Sequence, residues 1–152
     1  MSIVEWSDEL SVGVDALDHD HRRLIAFLHE MDNALAAGRA DDVLEDIIHG
    51  LLDYTHVHFV HEEALMAEAG YTGLDAHKEQ HRKLAAEVHS FAKEFRIDPR
   101  PFIAGELIAF LNDWLVLHIA EEDQQYRPAL ATLRHAGNAS TRWSPLVIPE
   151  FC

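Results

Sequence analysis

The sequence predicts an all-α protein, an antiparallel up-down-up-down four-helix bundle with an N-terminal arm and a short C-terminal extension. Three observations carry that prediction. Apolar residues recur at steps of three and four in four separate segments of about 20 residues, the spacing of one buried helix face. Punctuation at Gly38, Gly70 and Asp98-Pro99-Arg100-Pro101 divides those segments cleanly. No run alternates apolar and polar residues as a half-buried strand does. The joining loops are short, and short loops favour antiparallel neighbours.

The elements follow in order. Residues 1–17 carry Trp6, Val12, Val14 and Leu17 among polar residues, with Gly13 permitting a turn, and are expected to form an arm packed on the body. Asp18 is a helix-start residue, and Leu24, Ile25, Leu28, Met31 and Leu35 form a stripe that Gly38 closes. Asp41 and Asp42 are plausible caps for a second helix whose stripe begins Ile47, Leu51, Tyr54 and runs to Gly70. A third starts near Leu74 and carries Leu84, Val88, Phe91 and Phe95. The proline break stops it. A fourth carries Leu107, Phe110, Leu111, Trp114 and Leu115 and is expected to continue past residue 120. Pro128 opens a short further helix through Arg134. These elements make one domain over 1–135, and 136–152 form a tail, packed on the bundle or flexible, in which Trp143–Phe151 are expected to cap the bundle.

Composition sets bounds on function. A chain of 152 residues is long enough to bury a real core. A net charge of −15 argues against nucleic acid and anionic membranes, because phosphate binding needs clustered Lys and Arg. No apolar run approaches the roughly 20 residues that span a bilayer. The N-terminus is acidic and lacks the regions of a signal peptide. The single cysteine, Cys152, is terminal and expected to be inert; with no intrachain disulfide possible, a cytoplasmic setting is expected. Twelve histidines are a high count that needs explaining.

Each apolar stripe, continued by steps of three or four, runs into a potential ligand. Leu28 and Leu24 lead back to His21. Ile47, Leu51 and Tyr54 lead to His58 and then Glu62. Phe91, Val88 and Leu84 lead back to His81 and His77, and Leu107, Leu111 and Trp114 lead to His118. The i,i+4 pairs His58/Glu62 and His77/His81 each lie on one helical face. A single buried histidine is ordinarily a hydrogen-bonded core residue. Five of them with carboxylates on a buried seam carry a desolvation cost that imidazoles alone cannot relieve, so the set points to metal. Five nitrogens and two carboxylates exceed the four ligands of a structural zinc site. They suit two six-coordinate ions with bridging carboxylates, and the donor mix favours iron over manganese or zinc. Spacing leaves the last acid open. Glu122 stands at the regular four-residue step from His118, whereas Asp123 lies about 140° round an ideal helix.

The chain resembles the hemerythrin family, in its single-domain bacterial form. The resemblance spans residues 6 to about 127 and rests on the arm from Trp6 to Val12-Gly13, then Asp18-His19-Asp20-His21, His58-Phe59-Val60-His61-Glu62-Glu63, His77-Lys78-Glu79-Gln80-His81, and Trp114-Leu115-Val116-Leu117-His118 with Asp123 five residues on. It implies a non-haem di-iron centre (Fe2+/Fe3+) with an oxo or hydroxo bridge. His77, His81 and His118 would hold one iron, His21 and His58 the other, and Glu62 and Asp123 would bridge them. It selects Asp123 over Glu122, which is then expected to be solvated. The iron with fewer protein ligands keeps a position for O2, and Phe59, Trp114, Leu115 and Ile119 match positions lining an oxygen pocket. Plain core packing also accounts for those four.

The resemblance implies a reversible oxygen binder for storage, delivery or sensing, and not an enzyme; no protein partner is indicated. A di-iron peroxidase, oxidase or nitric-oxide-handling enzyme is the competing class, and a sensing adaptor with a docking tail is a third. Oxygen-activating di-iron enzymes use carboxylate-rich sites with Glu-x-x-His pairs. A histidine-rich site adds less negative charge and makes high-valent iron harder to reach, which favours binding. His49/Asp53 also has ligand spacing, but on a face expected at the surface. His19, His29, His49, His56, His61, His89 and His135 are expected to be solvated, though His56 and His61 flank ligands and could carry protons.

Overall fold

The computed structural model describes residues 3–98 and 101–135, with 40–44, 101–103 and 134–135 described by their backbone alone. Among them the chain is helical without strands: α1 (Asp15–Ala36), α2 (Ala40–Glu68), α3 (Leu74–Ile97), α4 (Pro101–Leu117) and α5 (Arg127–His135). Around the bundle α1 packs on α2 and α4, and α3 packs on the same two, so helices adjacent in sequence are adjacent in space. The expected tail lies outside the described residues.

Local chemistry sets the boundaries. Gly38 and Gly70 both take φ of 70°, the left-handed conformation that glycine reaches without a Cβ clash. After α1 the Arg39 N–H donates to the Ala34 carbonyl at 2.9 Å and Gly38 to Leu35 at 3.2 Å. After α2, Tyr71 and Gly70 bond back to Met66 and Ala67 in the same pattern. Both ends are therefore Schellman closures that satisfy the last carbonyls. Pro101 opens α4, where its missing N–H has no helical partner to lose.

Three expectations at helix ends differ. α2 begins at Ala40 with Arg39 at its cap position, so Asp41 and Asp42 fall inside its first turn instead of capping it. α1 begins at Asp15 rather than at Asp18. The Asp18 carboxylate is buried inside the first turn, accepting from Ser11 Oγ at 2.6 Å and the Val12 N–H at 2.9 Å. It fastens the arm to the helix instead of capping it. The fourth helix also does not continue regularly past residue 120: after Leu117 the backbone widens into a π-turn over His118–Glu122, then tightens into a 3-10 turn over Asp123–Tyr126.

Two apolar clusters fill the interior. The larger lies along the bundle and includes Leu24, Phe27, Leu28, Ile48, Leu51, Tyr54, Leu84, Ile108 and Leu111. The smaller closes one end, where Val12 and Val14 of the arm meet Leu17, Leu65, Met66, Tyr126 and Leu130. Along α1, α2 and α3, and in the turns that follow α4, the candidate ligands fall at the boundary between the two. His21 follows Leu17 and precedes Leu24; His58 and Glu62 stand between Tyr54 and Leu65. The bundle thus carries a buried polar layer sealed on both sides by hydrocarbon.

The candidate metal centre

All seven sequence-predicted residues meet in that layer. His21, His58, Glu62, His77, His81, His118 and Asp123 are each no more than 5% exposed. One oxygen of each carboxylate faces one histidine group, and the other oxygen faces the second. Glu62 Oε1 lies 3.0 Å from His81 Nε2 and 3.4 Å from His77 Nε2. Asp123 Oδ1 lies 3.0 Å from both His77 Nε2 and His118 Nε2. On the other side Glu62 Oε2 lies 3.4 Å from His21 Nε2 and 3.5 Å from His58 Nε2, and Asp123 Oδ2 lies 3.1 Å from His21 Nε2. The donor atoms of Glu62, His77, His81, His118 and Asp123 all fall within 4.8 Å of one another, as do those of His21, His58 and Glu62.

The outer ring nitrogens fix the inner ones. His58 Nδ1 lies 2.9 Å from Asp20 Oδ2, and His81 Nδ1 lies 2.7 Å from Glu63 Oε2. A carboxylate accepts only, so in each neutral ring the proton sits on Nδ1 and the Nε2 lone pair points inward. The Tyr54 hydroxyl donates to the other oxygen of Asp20 at 3.0 Å, and the Tyr126 hydroxyl donates to Glu62 Oε2 at 2.6 Å. Asp20, Glu63, Tyr54 and Tyr126 thus orient the cluster from outside it.

The donor set fits bound cations. With those tautomers, His81 Nε2 presents a lone pair to His118 Nε2 at 3.2 Å and to Glu62 Oε1 at 3.0 Å. Acceptors at that distance repel unless a proton or a metal lies between them. Asp123 Oδ1 and Oδ2, Glu62 Oε1, His77 Nε2 and both ring nitrogens of His21 are buried yet lack aligned hydrogen bonds. So many orphaned donor atoms aimed at one space are costly in a protein interior, and metal coordination satisfies them together.

With protons as the only counter-charge, the cluster is strongly polarised. Burial disfavours the charged form of His21, but contacts with Asp123 and Glu62 outweigh it and carry its pKa to about 10. The same opposition raises His77 to about 9. Burial raises the Glu62 carboxyl, but the charge of His58 and the contacts of His21, His58 and His77 hold it well below the usual range. Asp123 is also lowered: burial and Glu62 oppose ionisation, and His118 and His21 prevail.

The π-turn resolves what spacing left open. The Asp123 N–H donates to the His118 carbonyl, five residues back. One extra residue in the turn brings position i+5 round to the face of position i, so Asp123 points inward beside His118. Glu122 is displaced to the edge. It is half-buried rather than solvated, and accepts from Gln80 Nε2 at 3.1 Å, tying the turn to α3.

The four expected pocket residues divide. The Phe59 ring stacks on His81 with centroids 3.6 Å apart, and Trp114 stacks on His118 at 4.2 Å. Phe59, Trp114 and Leu115 line an apolar cavity of about 20 Å³ whose other walls are leucines and Thr55. About one water-sized probe fills such a space. Ile119 is buried in the π-turn but does not line that cavity.

Among the other histidines, His19, His49, His56 and His89 are exposed, in keeping with the sequence reading. His49 faces Glu45 at 3.7 Å and not Asp53. His29 is corrected: its Nε2 bonds to the Val4 carbonyl at 3.0 Å and pins the arm across α1. His61 is half-buried, and desolvation lowers its pKa. Sequence reasoning did not single out Asp20, Glu63, Tyr54 and Tyr126 as orienting groups. Their signal is adjacency: Asp20 and Glu63 each neighbour a ligand in sequence, and Tyr54 precedes His58 by one turn.

Comparison with known proteins gives a consistent picture. Residues 12–130 match the family model described as the hemerythrin HHE cation binding domain. A bacteriohemerythrin of Stenotrophomonas maltophilia is 36% identical over 129 residues, covering 83% of this chain and 80% of its own. A bacteriohemerythrin of Clostridium acetobutylicum is 33% identical over 126 residues, covering 80% and 96%. The crystal structure of a wild-type hemerythrin superposes with a TM-score of 0.75 at 27% identity, covering 86% of this chain and 99% of that one.

Proposed function

The chain belongs to the hemerythrin family, and from that premise we propose that it binds molecular oxygen reversibly at a non-haem di-iron centre. The observation that carries the proposal is the division of each buried carboxylate between two histidine groups. His77, His81 and His118 would hold one iron and His21 and His58 the other, with Glu62 and Asp123 offering a carboxylate oxygen to each. The irons, when bound, supply the two electrons that oxygen takes up and returns.

The chain's own residues supply the rest. Asp20 and Glu63 hold the rings of His58 and His81 with their Nε2 atoms inward. Tyr126 fixes one oxygen of Glu62. Phe59 and Trp114 cover His81 and His118 with hydrocarbon, and a small apolar cavity lies beside them. Excluding water and mobile protons there favours release of intact oxygen over its reduction. Binding therefore accounts for the site better than oxidation catalysis does. Among the described residues no helix is long and apolar enough to cross a membrane, and a cytoplasmic oxygen store, carrier or sensor is the role proposed.

Metal analysis tests this reading. The purified protein is expected to carry two irons per chain; stoichiometric zinc without iron contradicts it.

A further inference from the structure

In a chain of net charge −15 the outward face of α2 stands apart. Between Asp53 and Glu68 it presents Val57, Val60, Ala64 and Ala67, all exposed, Val60 by 51% and Val57 by 38%. The four follow one another at steps of three, four and three. That is the a–d–a–d spacing of a seam on which a second helix packs. The opposite face of the same helix buries Tyr54, His58, Glu62 and Leu65 in the bundle, so α2 is patterned for burial on both sides. We propose that the outer seam of α2 is a dimer interface, packed antiparallel against the same seam of a second copy of this chain.

The seam is complementary to itself when reversed. Its N-terminal half is large, with Val57 and Val60, and its C-terminal half is small, with Ala64 and Ala67. A copy turned about a two-fold axis level with Glu62 sets Val57 on the partner's Ala67 and Val60 on the partner's Ala64. Each valine then fills the space that an alanine leaves, and the contact is isologous, so it closes on two chains. The edges obey the same reversal. His56 and His61 flank the valines, and Glu63 and Glu68 flank the alanines. The reversed copy therefore brings His56 to the partner's Glu63 along one edge and His61 to the partner's Glu68 along the other. A parallel pair does the opposite, stacking alanine on alanine and carboxylate on carboxylate. The exposed apolar stretch of Val116, Leu117 and Ala120, at the end of α4 and in the turn after it, lacks this property. Asp113 and Glu121 bound it on both sides, so a reversed copy sets acid against acid. A single helix pair is smaller than the roughly 1,200–2,000 Å² that stable interfaces bury, and the dimer accordingly depends on concentration.

Sedimentation equilibrium of the full chain is expected to show monomer and dimer exchanging between micromolar and millimolar protein. Val60→Glu places a charge in the middle of the seam, on a side chain that points to solvent in the single chain. It is expected to lose the dimer at every concentration while keeping the metal content and helicity of wild type. Leu117→Glu, at the other apolar stretch, is expected to dimerise as wild type does. A wild type that stays monomeric throughout, a dimer that survives Val60→Glu, or one that Leu117→Glu abolishes overturns the proposal. Cross-linking fixes the orientation without a charged substitution. In chains carrying Cys152→Ser, equal amounts of Val60→Cys and Ala64→Cys protein are mixed and oxidised. A disulfide needs closely apposed Cβ atoms, and the antiparallel register apposes position 60 to position 64. The mixed disulfide is therefore expected above its statistical share. Disulfides that join chiefly like variants, or none at all, overturn the antiparallel seam.

Discussion

His58 Nδ1 donates to Asp20 Oδ2 across 2.9 Å of buried space, joining α2 to α1 beside His21. Asp20 is fully buried and also accepts from Tyr54, so its position is fixed from two sides. Asp20→Asn keeps the shape but removes the charge that makes the ring a better donor to metal. Groups of this kind change metal affinity by roughly 10–100-fold. Competition with a graded series of chelators is expected to show such a loss at one of the two ions; equal affinity in both proteins contradicts the assigned tautomer.

Asp123→Asn and Glu122→Gln distinguish the two acids after His118. If the π-turn presents Asp123 to both histidine groups, Asp123→Asn is expected to lose at least one metal ion, while Glu122→Gln retains both. Elemental analysis of the two proteins decides the matter, and the reverse pattern places the bridge at Glu122.

Tyr126→Phe removes a hydroxyl from a buried carboxylate oxygen 2.6 Å away. A hydrogen bond to a charged group contributes about 1.5–3 kcal/mol. Urea unfolding of the metal-loaded variant is expected to show a loss of that order with metal content unchanged, and an undiminished midpoint contradicts the bond's importance.

Acidity gives a further prediction with a defined sign. In chelator-stripped protein, His21 and His77 have folded pKa values raised from 6.5 to about 10 and about 9. Their stabilisation is full below pH 6.5 and is lost as pH rises through 9 and 10. Glu62 and Asp123 are lowered from 4.5 and 3.8, so their contribution is present above those values and lost as pH falls. Stripped protein is therefore expected to resist urea best between about pH 4.5 and 6.5. Metal loading displaces the imidazole protons, so at pH 7 it is expected to release protons, measurable by calorimetry in buffers of different ionisation enthalpy. No buffer dependence contradicts the protonated cluster.

How far the sequence reveals this site depends on helix regularity. α1, α2 and α3 keep ideal periodicity, so extending their apolar stripes reaches His21, His58, Glu62, His77 and His81. The same extension reaches His118, which ends the regular part of the fourth helix. Periodicity fails one residue group later, because the i+5 bond from Asp123 to His118 changes the angular step. Family resemblance supplied Asp123 where helix geometry alone left Glu122 in contention. Asp20, Glu63 and Tyr126 act on the cluster from positions off the stripes, and their roles emerge only once the helices are packed. The arm shows the same limit. Its apolar residues are legible as a packing segment, but the bonds of Val4 to Asn112 and His29 depend on tertiary contact.

Anaerobic reduction followed by oxygen titration, monitored optically, tests the central claim most directly. The reduced protein is expected to gain a charge-transfer band that saturates at a single oxygen per centre, fades under vacuum and returns when oxygen is readmitted. Irreversible oxidation with release of peroxide, or no uptake by iron-loaded protein, contradicts reversible oxygen binding.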